Sequence, residues 1–181
     1  MTREKLTDEL IREGYLKTPA IIEAFRAVDR KDFVPPEMAE FAYLNQALPI
    51  GHRQTISQPL TVAFMLELLD PKLGEKILDV GAGSGWQTAL LARIVGGSFD
   101  FAQDKQGAKI IAVERIPELK NFAENNLEKY GLVSRGIVKI VEGDGWQGFP
   151  EEAPYEKIIA AAAAKHIPYA WESQIRVGGR I

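Results

Sequence analysis

The sequence predicts an α/β fold, a doubly wound and mainly parallel sheet that follows an N-terminal helical appendage. From Gly74 onward, short apolar runs alternate with longer amphipathic segments, which is the order typical of parallel strands joined by helices. The strand-like runs are almost continuously apolar, and this indicates a sheet that is covered on both faces. The predicted strands are KILDV (76–80), KIIAVE (109–114), IVKIVEGD (137–144), KIIAAAA (157–163) and the final GGRI, with helices at about 86–95, at 117–130 and after Pro168.

The chain divides near Gly74 into two regions that we expect to form one structural unit. Residues 1–73 contain helix signals and a polar loop, and residues 74–181 form the predicted α/β domain. Leucines at helical spacing precede Gly14, and Thr18-Pro19 is typical of a helix start. Residues 96–108 are polar and rich in Gly, Gln and Asp, so we interpret them as a surface insertion.

Composition limits the classes of function. The chain has 181 residues, 46% of them apolar and 26% charged, as expected for one globular domain. It has no cysteine, which excludes disulfides, thiolate metal sites and cysteine nucleophiles and favours a cytoplasmic location. The net charge of -3 gives no basic footprint for nucleic acid, and no apolar run is long enough for a membrane span or a signal peptide.

A glycine loop follows the first predicted strand in LDVGAGSGWQT. Glycines at 81, 83 and 85 allow a tight turn and the close approach of a ligand. The dinucleotide fingerprint requires glycine where Trp86 stands, so NAD and FAD are disfavoured. Asp79, just before the loop, suits a cationic ligand better than a pyrophosphate.

Two further acids end the next two strands. Glu114 is placed to accept from the hydroxyls of a ribose, and Asp144 from the amino group of an adenine. Either acid alone is typical of a solvated strand end. Together with the glycine loop they favour a cationic nucleoside without phosphate, and S-adenosylmethionine is such a molecule.

A polar stretch, PIGHRQTISQPLT (49–61), lies just before this α/β region. Such a cluster is typical of a surface loop, and it is equally compatible with one wall of a reaction site. Pro59 suits the first turn of a helix containing Val62 and Leu66. Ser57 would then lie beside a helix N-terminus, where carboxylates bind.

These motifs resemble a known family. Residues 79–85, Glu114 and GDG (143–145) resemble the Rossmann-like class I S-adenosylmethionine-dependent methyltransferases, and LPIGHRQTISQP (48–59) is similar to the signature of the protein-L-isoaspartate O-methyltransferases. Segments 20–35, 151–159 and 177–181 also resemble that family. The resemblance implies S-adenosylmethionine as cofactor, S-adenosylhomocysteine as product, and cofactor contacts from Thr55, Ile56, Gln58, Asp79, Gly81, Gly83, Gly85, Glu114, Arg115, Asp144 and Gly145.

The resemblance also implies a reaction. The substrate would be the free carboxylate of an L-isoaspartyl residue in a damaged polypeptide, with Ser57 as the catalytic residue. The methyl ester would close to a succinimide and partly reopen as aspartate, which is protein repair. Two alternatives remain open: a methyltransferase for another small molecule or for RNA, and a shortened relative that binds cofactor without activity.

The family continues beyond the last predicted strand with a final hairpin, so we expect a C-terminally shortened member. Its fifth strand would be an exposed edge through which the chain self-associates. The alanine run 160–164 is either a packed segment or a place where substrate backbone approaches the donor. It lacks the Asn/Asp-Pro-Pro-Tyr motif typical of enzymes that methylate amino groups.

The remaining candidate residues receive structural interpretations. His52 and His166 match no hydrolase triad, and two histidines without clustered carboxylates do not indicate a metal site. We interpret both as surface or loop residues. Trp86 and Trp146 are compatible with a place beside the cofactor, and core packing is the favoured interpretation of both.

Overall fold

A computed structural model describes residues 1–97, 109–162 and 165–181. The predicted insertion at 96–108 lies, from residue 98 onward, outside the described residues. The last two residues of the alanine run 160–164 also lie outside them.

The N-terminal region contains the predicted helices together with short 3-10 helices and a hairpin that were not predicted. Short 3-10 helices at Arg30–Phe33 and Pro36–Phe41 follow the first two helices. A hairpin then forms from two antiparallel strands whose turn residues His52 and Arg53 have φ angles of 50° and 58°. The elements are α1 (Arg3–Arg12), α2 (Pro19–Ala27), β1 (Leu48–Gly51), β2 (Gln54–Ile56) and α3 (Pro59–Leu69).

The predicted α/β region forms a five-stranded parallel sheet with the order β5-β4-β3-β6-β7. The strand order reverses at the central strand β3, and α/β sheets bind ligands at such a reversal. The edge strand β7 is exposed along most of its length. The elements are β3 (Ile77–Val80), α4 (Trp86–Gly96), β4 (Ile110–Glu114), α5 (Pro117–Glu128), β5 (Val138–Glu142), β6 (Tyr155–Ala160), α6 (Tyr169–Gln174) and β7 (Ile175–Arg180).

Each face of the sheet has its own apolar cluster. Ile77 packs into the larger cluster together with residues of the N-terminal helices, such as Leu10 and Ile21. Its neighbour Leu78 points to the opposite face and packs against Tyr155. Both faces are therefore covered, which confirms the doubly wound fold predicted from the apolar strands.

The ends of several elements differ from their predicted positions. The strand β6 begins and ends earlier than predicted, and the helix after Pro168 has only six residues. Among the described residues, no helix combines the length and apolar character needed to span a membrane.

Candidate functional site

A cavity of about 500 Å³ opens at the carboxyl ends of the central strands. This volume falls within the range of cavities that hold cofactors and small ligands. Most of the predicted site residues line it: Thr55, Ile56, Ser57, Gly81, Gly83, Glu114, Arg115, Asp144 and Gly145. The lining also contains residues that were not among the predicted site residues, some of them within the quoted motifs: Gln54, Val62, Val80, Ala82, Ser84, Gln87, Val113, Ile116 and Trp171.

The glycine loop forms one wall of the cavity. Gly81 and Gly83 have φ angles of 84° and 56°, a backbone region that disfavours side chains. The Gly81 amide donates to the Val113 carbonyl at 2.8 Å, which ties the loop to the end of β4. The loop therefore presents backbone to the cavity in a fixed position.

Glu114 supports this loop as well as facing the cavity. Its carboxylate accepts from the Gly83 amide at 2.9 Å and, through the other oxygen, from the Ile116 amide at 3.0 Å. The residue is only 6% exposed. Each oxygen keeps lone-pair capacity for a further donor, so the pre-oriented carboxylate can still accept from ligand hydroxyls.

Asp79 does not line the cavity, in contrast to its predicted contact with a ligand. It is fully buried, and it accepts from the Gln87 amide at 2.8 Å and from the Thr88 hydroxyl at 2.6 Å. Both donors lie in the first turn of α4. Asp79 therefore fastens the helix to the end of β3 beneath the glycine loop.

This buried carboxylate makes the stability of the protein depend on pH. Burial raises the pKa of Asp79 to about 6, although its two hydrogen bonds favour the charged form. Because the ordinary value is 3.8, the folded state holds more protons between these values. Its free energy of unfolding then falls as the pH rises through that window.

We expect Asp79→Asn to remove this contribution. Denaturant unfolding measured in steps from about pH 4 to pH 7 should show the unaltered chain losing stability relative to the variant up to about pH 6, with a constant difference above it. Parallel curves for the two proteins would contradict the raised pKa.

The segment after β5 forms a second wall. Asp144 accepts from the Trp146 amide at 3.0 Å, and the Trp171 indole donates to the Gly145 carbonyl at 2.8 Å. A side chain at Gly145 would collide with Val80, so only glycine allows this close approach. Trp146 lines the cavity and is 39% exposed, so of its two predicted roles the structure favours the place beside the ligand over core packing.

The third wall comes from β2 and the residues after it. Ser57 lines the cavity, and its hydroxyl forms no hydrogen bond with any described residue. Gln58 was predicted to contact the cofactor, but it does not line the cavity. Its side-chain amide donates instead to the Asn45 backbone carbonyl at 3.0 Å. Asn45 also accepts from the Leu60 amide at 3.0 Å and so caps α3.

Two more predicted features have clear positions. Gly85 lies off the cavity, where a Cβ atom would come within 3.3 Å of Ala123 in α5, so it serves helix packing. Ala161 and Ala162 line the cavity and place small side chains there.

The two histidines and Trp86 have the structural positions that the sequence predicts. His52 and His166 are both exposed, and the His166 ring packs edge-on against Trp146, with 5.2 Å between ring centroids. Trp86 is 3% exposed and packs against Phe25 in the core, although it also borders the cavity. Within the described part of the chain, no group of His, Asp and Glu side chains is arranged to hold a metal ion.

A parallel sheet with a glycine loop at its point of reversal is the Rossmann-like fold of methyltransferases. The family model described as Protein-L-isoaspartate(D-aspartate) O-methyltransferase matches residues 1–181, and the chain belongs to this family.

Individual relatives agree with this assignment. The chain is 48% identical, over 99% of its length, to a protein-L-isoaspartate O-methyltransferase of Aeropyrum pernix. A solved protein-L-isoaspartate O-methyltransferase superposes with a TM-score of 0.80 at 27% identity, over 98% of this chain. A Plasmodium falciparum structure named as a putative member of the same family, in complex with S-adenosyl-L-homocysteine, superposes with a TM-score of 0.86 at 25% identity. The superposition covers 99% of this chain and 82% of the Plasmodium falciparum chain. The chain spans 65% of the Aeropyrum pernix relative and 53% of the first solved chain.

Proposed function

We propose that this protein transfers a methyl group from S-adenosylmethionine to the free carboxylate of L-isoaspartyl residues in damaged polypeptides. The observation that carries the proposal is the lining of one cavity by both the glycine loop with Glu114 and the hydroxyl of Ser57, which bonds to no other described residue. The glycine loop and Glu114 suit a nucleoside, and the Ser57 hydroxyl offers a hydrogen-bond donor to a carboxylate. The family of the chain and the S-adenosyl-L-homocysteine bound by the Plasmodium falciparum structure support the same ligand.

The charges of the cavity suit a cationic methyl donor. Glu114 and Asp144 line it together with one cation, Arg115, and this excess of carboxylates in a partly buried site favours a sulfonium over a phosphate. In this proposal Glu114 holds the ribose hydroxyls and Asp144 accepts from the adenine amino group. Thr55, Ile56, Arg115 and the backbone at Gly81, Gly83 and Gly145 complete the cofactor site.

The residues of the protein contribute mainly orientation. A substrate carboxylate is already ionised at neutral pH, so the reaction requires no general base. The bound donor supplies an activated methyl group, and a carboxylate oxygen bonds to this methyl as its bond to sulfur breaks. The Ser57 hydroxyl donates a hydrogen bond that keeps the carboxylate in line, and catalysis arises from proximity and alignment.

A paired peptide assay tests this function. Labelled S-adenosylmethionine is incubated with the protein and with two peptides that differ only in carrying an isoaspartyl or an aspartyl residue. We expect transfer to the isoaspartyl peptide alone, as a methyl ester that is lost at alkaline pH. Calorimetry on the same preparation measures donor binding separately.

The alternatives give different results in these assays. Donor binding without transfer would identify a cofactor-binding relative that lacks activity. Transfer to RNA or to another small molecule, and not to the peptide, would identify a different methyltransferase. Absence of donor binding by the folded protein would overturn the proposal. The predicted cytoplasmic location and self-association through β7 stay predictions.

A further inference from the structure

Arg30, at the start of the first 3-10 helix, is a buried charge without a counter-ion among the described residues. It is only 2% exposed, and no carboxylate lies within ion-pair distance of it in this part of the chain. Burial lowers the pKa of Arg30 to about 10, so the guanidinium is still charged at neutral pH. A buried charge of this kind is retained only where other groups compensate for its lost hydration.

Backbone carbonyl groups supply that compensation. One terminal nitrogen of Arg30 donates to the Ala42 carbonyl at 2.6 Å, and the other donates to the carbonyls of Gln46 and Ser57, both at 3.0 Å. The planar fork of arginine suits such a divided set of acceptors, which the point charge of lysine cannot match. Arg30 thereby joins the 42–46 segment to the residue predicted to be catalytic.

The same guanidinium reaches the opposite wall of the cavity. Its central carbon lies 5.2 Å from the ring centroid of Trp86, the first residue of α4 after the glycine loop. Two buried nitrogens beside this contact, Arg30 Nε and Trp86 Nε1, have no hydrogen-bond partner among the residues that the structure describes. The position of Arg30 therefore does not serve to pair every polar atom. It instead brings the guanidinium into contact with both Ser57 and Trp86.

A second link reinforces the connection to Ser57. Asn45, within the 42–46 segment, accepts from the Leu60 amide through its side chain and from the Gln58 side chain through its carbonyl, both at 3.0 Å. Arg30 bonds the carbonyls at the two ends of the same segment, Ala42 and Gln46. The backbone at 57–60 is thus fixed through Arg30 and Asn45 together.

We propose that Arg30 is a positioning residue, which sets the backbone of Ser57 so that its hydroxyl meets the substrate carboxylate, and which keeps this wall in register with the glycine loop. The inference rests on the proposed methyl transfer. Arg30 acts through the Ser57 carbonyl and not through the hydroxyl, so the two contributions are separable by mutation.

The kinetic test combines Arg30→Lys with Ser57→Ala. We expect Arg30→Lys to lower kcat for the isoaspartyl peptide by about tenfold, with the Kd for S-adenosylmethionine within about twofold. In the Ser57→Ala background the same change should lower kcat by less than about twofold, because the hydroxyl that Arg30 positions is gone. Equal losses in both backgrounds would overturn the proposal.

A measurement that does not depend on activity accompanies the kinetics. Amide hydrogen exchange in Arg30→Lys, and in the uncharged variant Arg30→Gln, should rise at residues 42–46 and 54–60 and stay unchanged in α5. Tyr43→Phe is the matched control, because Tyr43 belongs to the same segment but its hydroxyl donates to Asp29, at 2.8 Å, and not to Arg30 or Ser57. Unchanged exchange in both Arg30 variants would also overturn the proposal.

The two hypotheses fail in distinguishable ways. If the unaltered protein does not methylate the isoaspartyl peptide, the proposed function is wrong, and the exchange measurement still tests whether Arg30 fixes Ser57. If the unaltered protein is active and the losses are additive, only the role of Arg30 is wrong.

Discussion

Replacement of Glu114 by Ala is expected to weaken the binding of S-adenosylmethionine by about 100-fold. Hydrogen bonds to a charged acceptor contribute on the order of 1.5–3 kcal/mol, and the variant would lose those to the ribose. It would also lose the acceptor for the Gly83 and Ile116 amides, so the glycine loop would keep its backbone bonds to Val113 in β4 but lose its attachment to the side chain of Glu114. Calorimetry of donor binding, with thermal unfolding to verify the fold, measures the effect.

Two companion variants separate these contributions. Glu114→Gln retains a neutral oxygen for the Gly83 amide, so we expect an intermediate loss of about tenfold. Glu142→Ala is the matched control, because Glu142 pairs with Glu114 in the register of β4 and β5, is exposed and does not line the cavity. An unchanged Kd in a folded Glu114→Ala protein would refute the placement of the ribose.

Replacement of Ser57 by Ala is expected to lower the turnover of isoaspartyl peptide by about 10- to 100-fold. This is the effect of one hydrogen bond to a charged group, since the serine orients a carboxylate and forms no covalent bond in our proposal. The Kd for S-adenosylmethionine should stay within about twofold. Steady-state kinetics at saturating donor, together with calorimetry, give both values.

The control for this variant is Ser173→Ala, which removes an exposed hydroxyl that donates to the Ala170 carbonyl in α6. Its kinetics should match those of the unaltered protein. Complete loss of turnover in Ser57→Ala, with a modified Ser57 found by mass spectrometry, would replace orientation by covalent catalysis.

The sheet was predictable because its strands are buried on both faces. Ile110, Ile111 and Val113 are all fully buried or nearly so, and a short unbroken apolar run is typical of a strand covered on both sides. The hairpin β1–β2 was not predictable in the same way. Its turn places His52 and Arg53 in the left-handed region, where local rules expect Asn-Gly, so tertiary contacts rather than turn propensity determine it.

A site residue could be predicted from the sequence where it lies at the end of a strand. Its hydrogen-bond partners could not be predicted where they belong to another element. Glu114 and Asp144 follow strands and line the cavity as expected. Asp79 satisfies the same rule, yet Gln87 and Thr88 in α4 occupy its carboxylate. The sequence carries no signal for that pairing, because a helix can present any of its first-turn side chains towards the strand.

Trp171 illustrates a contribution that no local pattern reveals. It lines the cavity and donates to the carbonyl of Gly145, which lies 26 residues earlier in the chain. Only the packing of α6 against the segment after β5 brings the two together. Residues of this kind require the three-dimensional structure.

The composition of the cavity lining links ligand occupancy to the folding of the whole domain. Its walls come from 54–57, Val62, 80–84, 86–87, 113–116, 144–146, 161–162 and Trp171, so segments that are distant in the sequence must come together to form it. A fold with many such non-local contacts is expected to fold slowly. A ligand that fills the cavity binds the native state and not the unfolded chain, so it stabilises every segment at once and raises the melting temperature with its concentration. In our proposal this ligand is the methyl donor, so the ratio of its cellular concentration to its Kd contributes to the fraction of the protein that is folded.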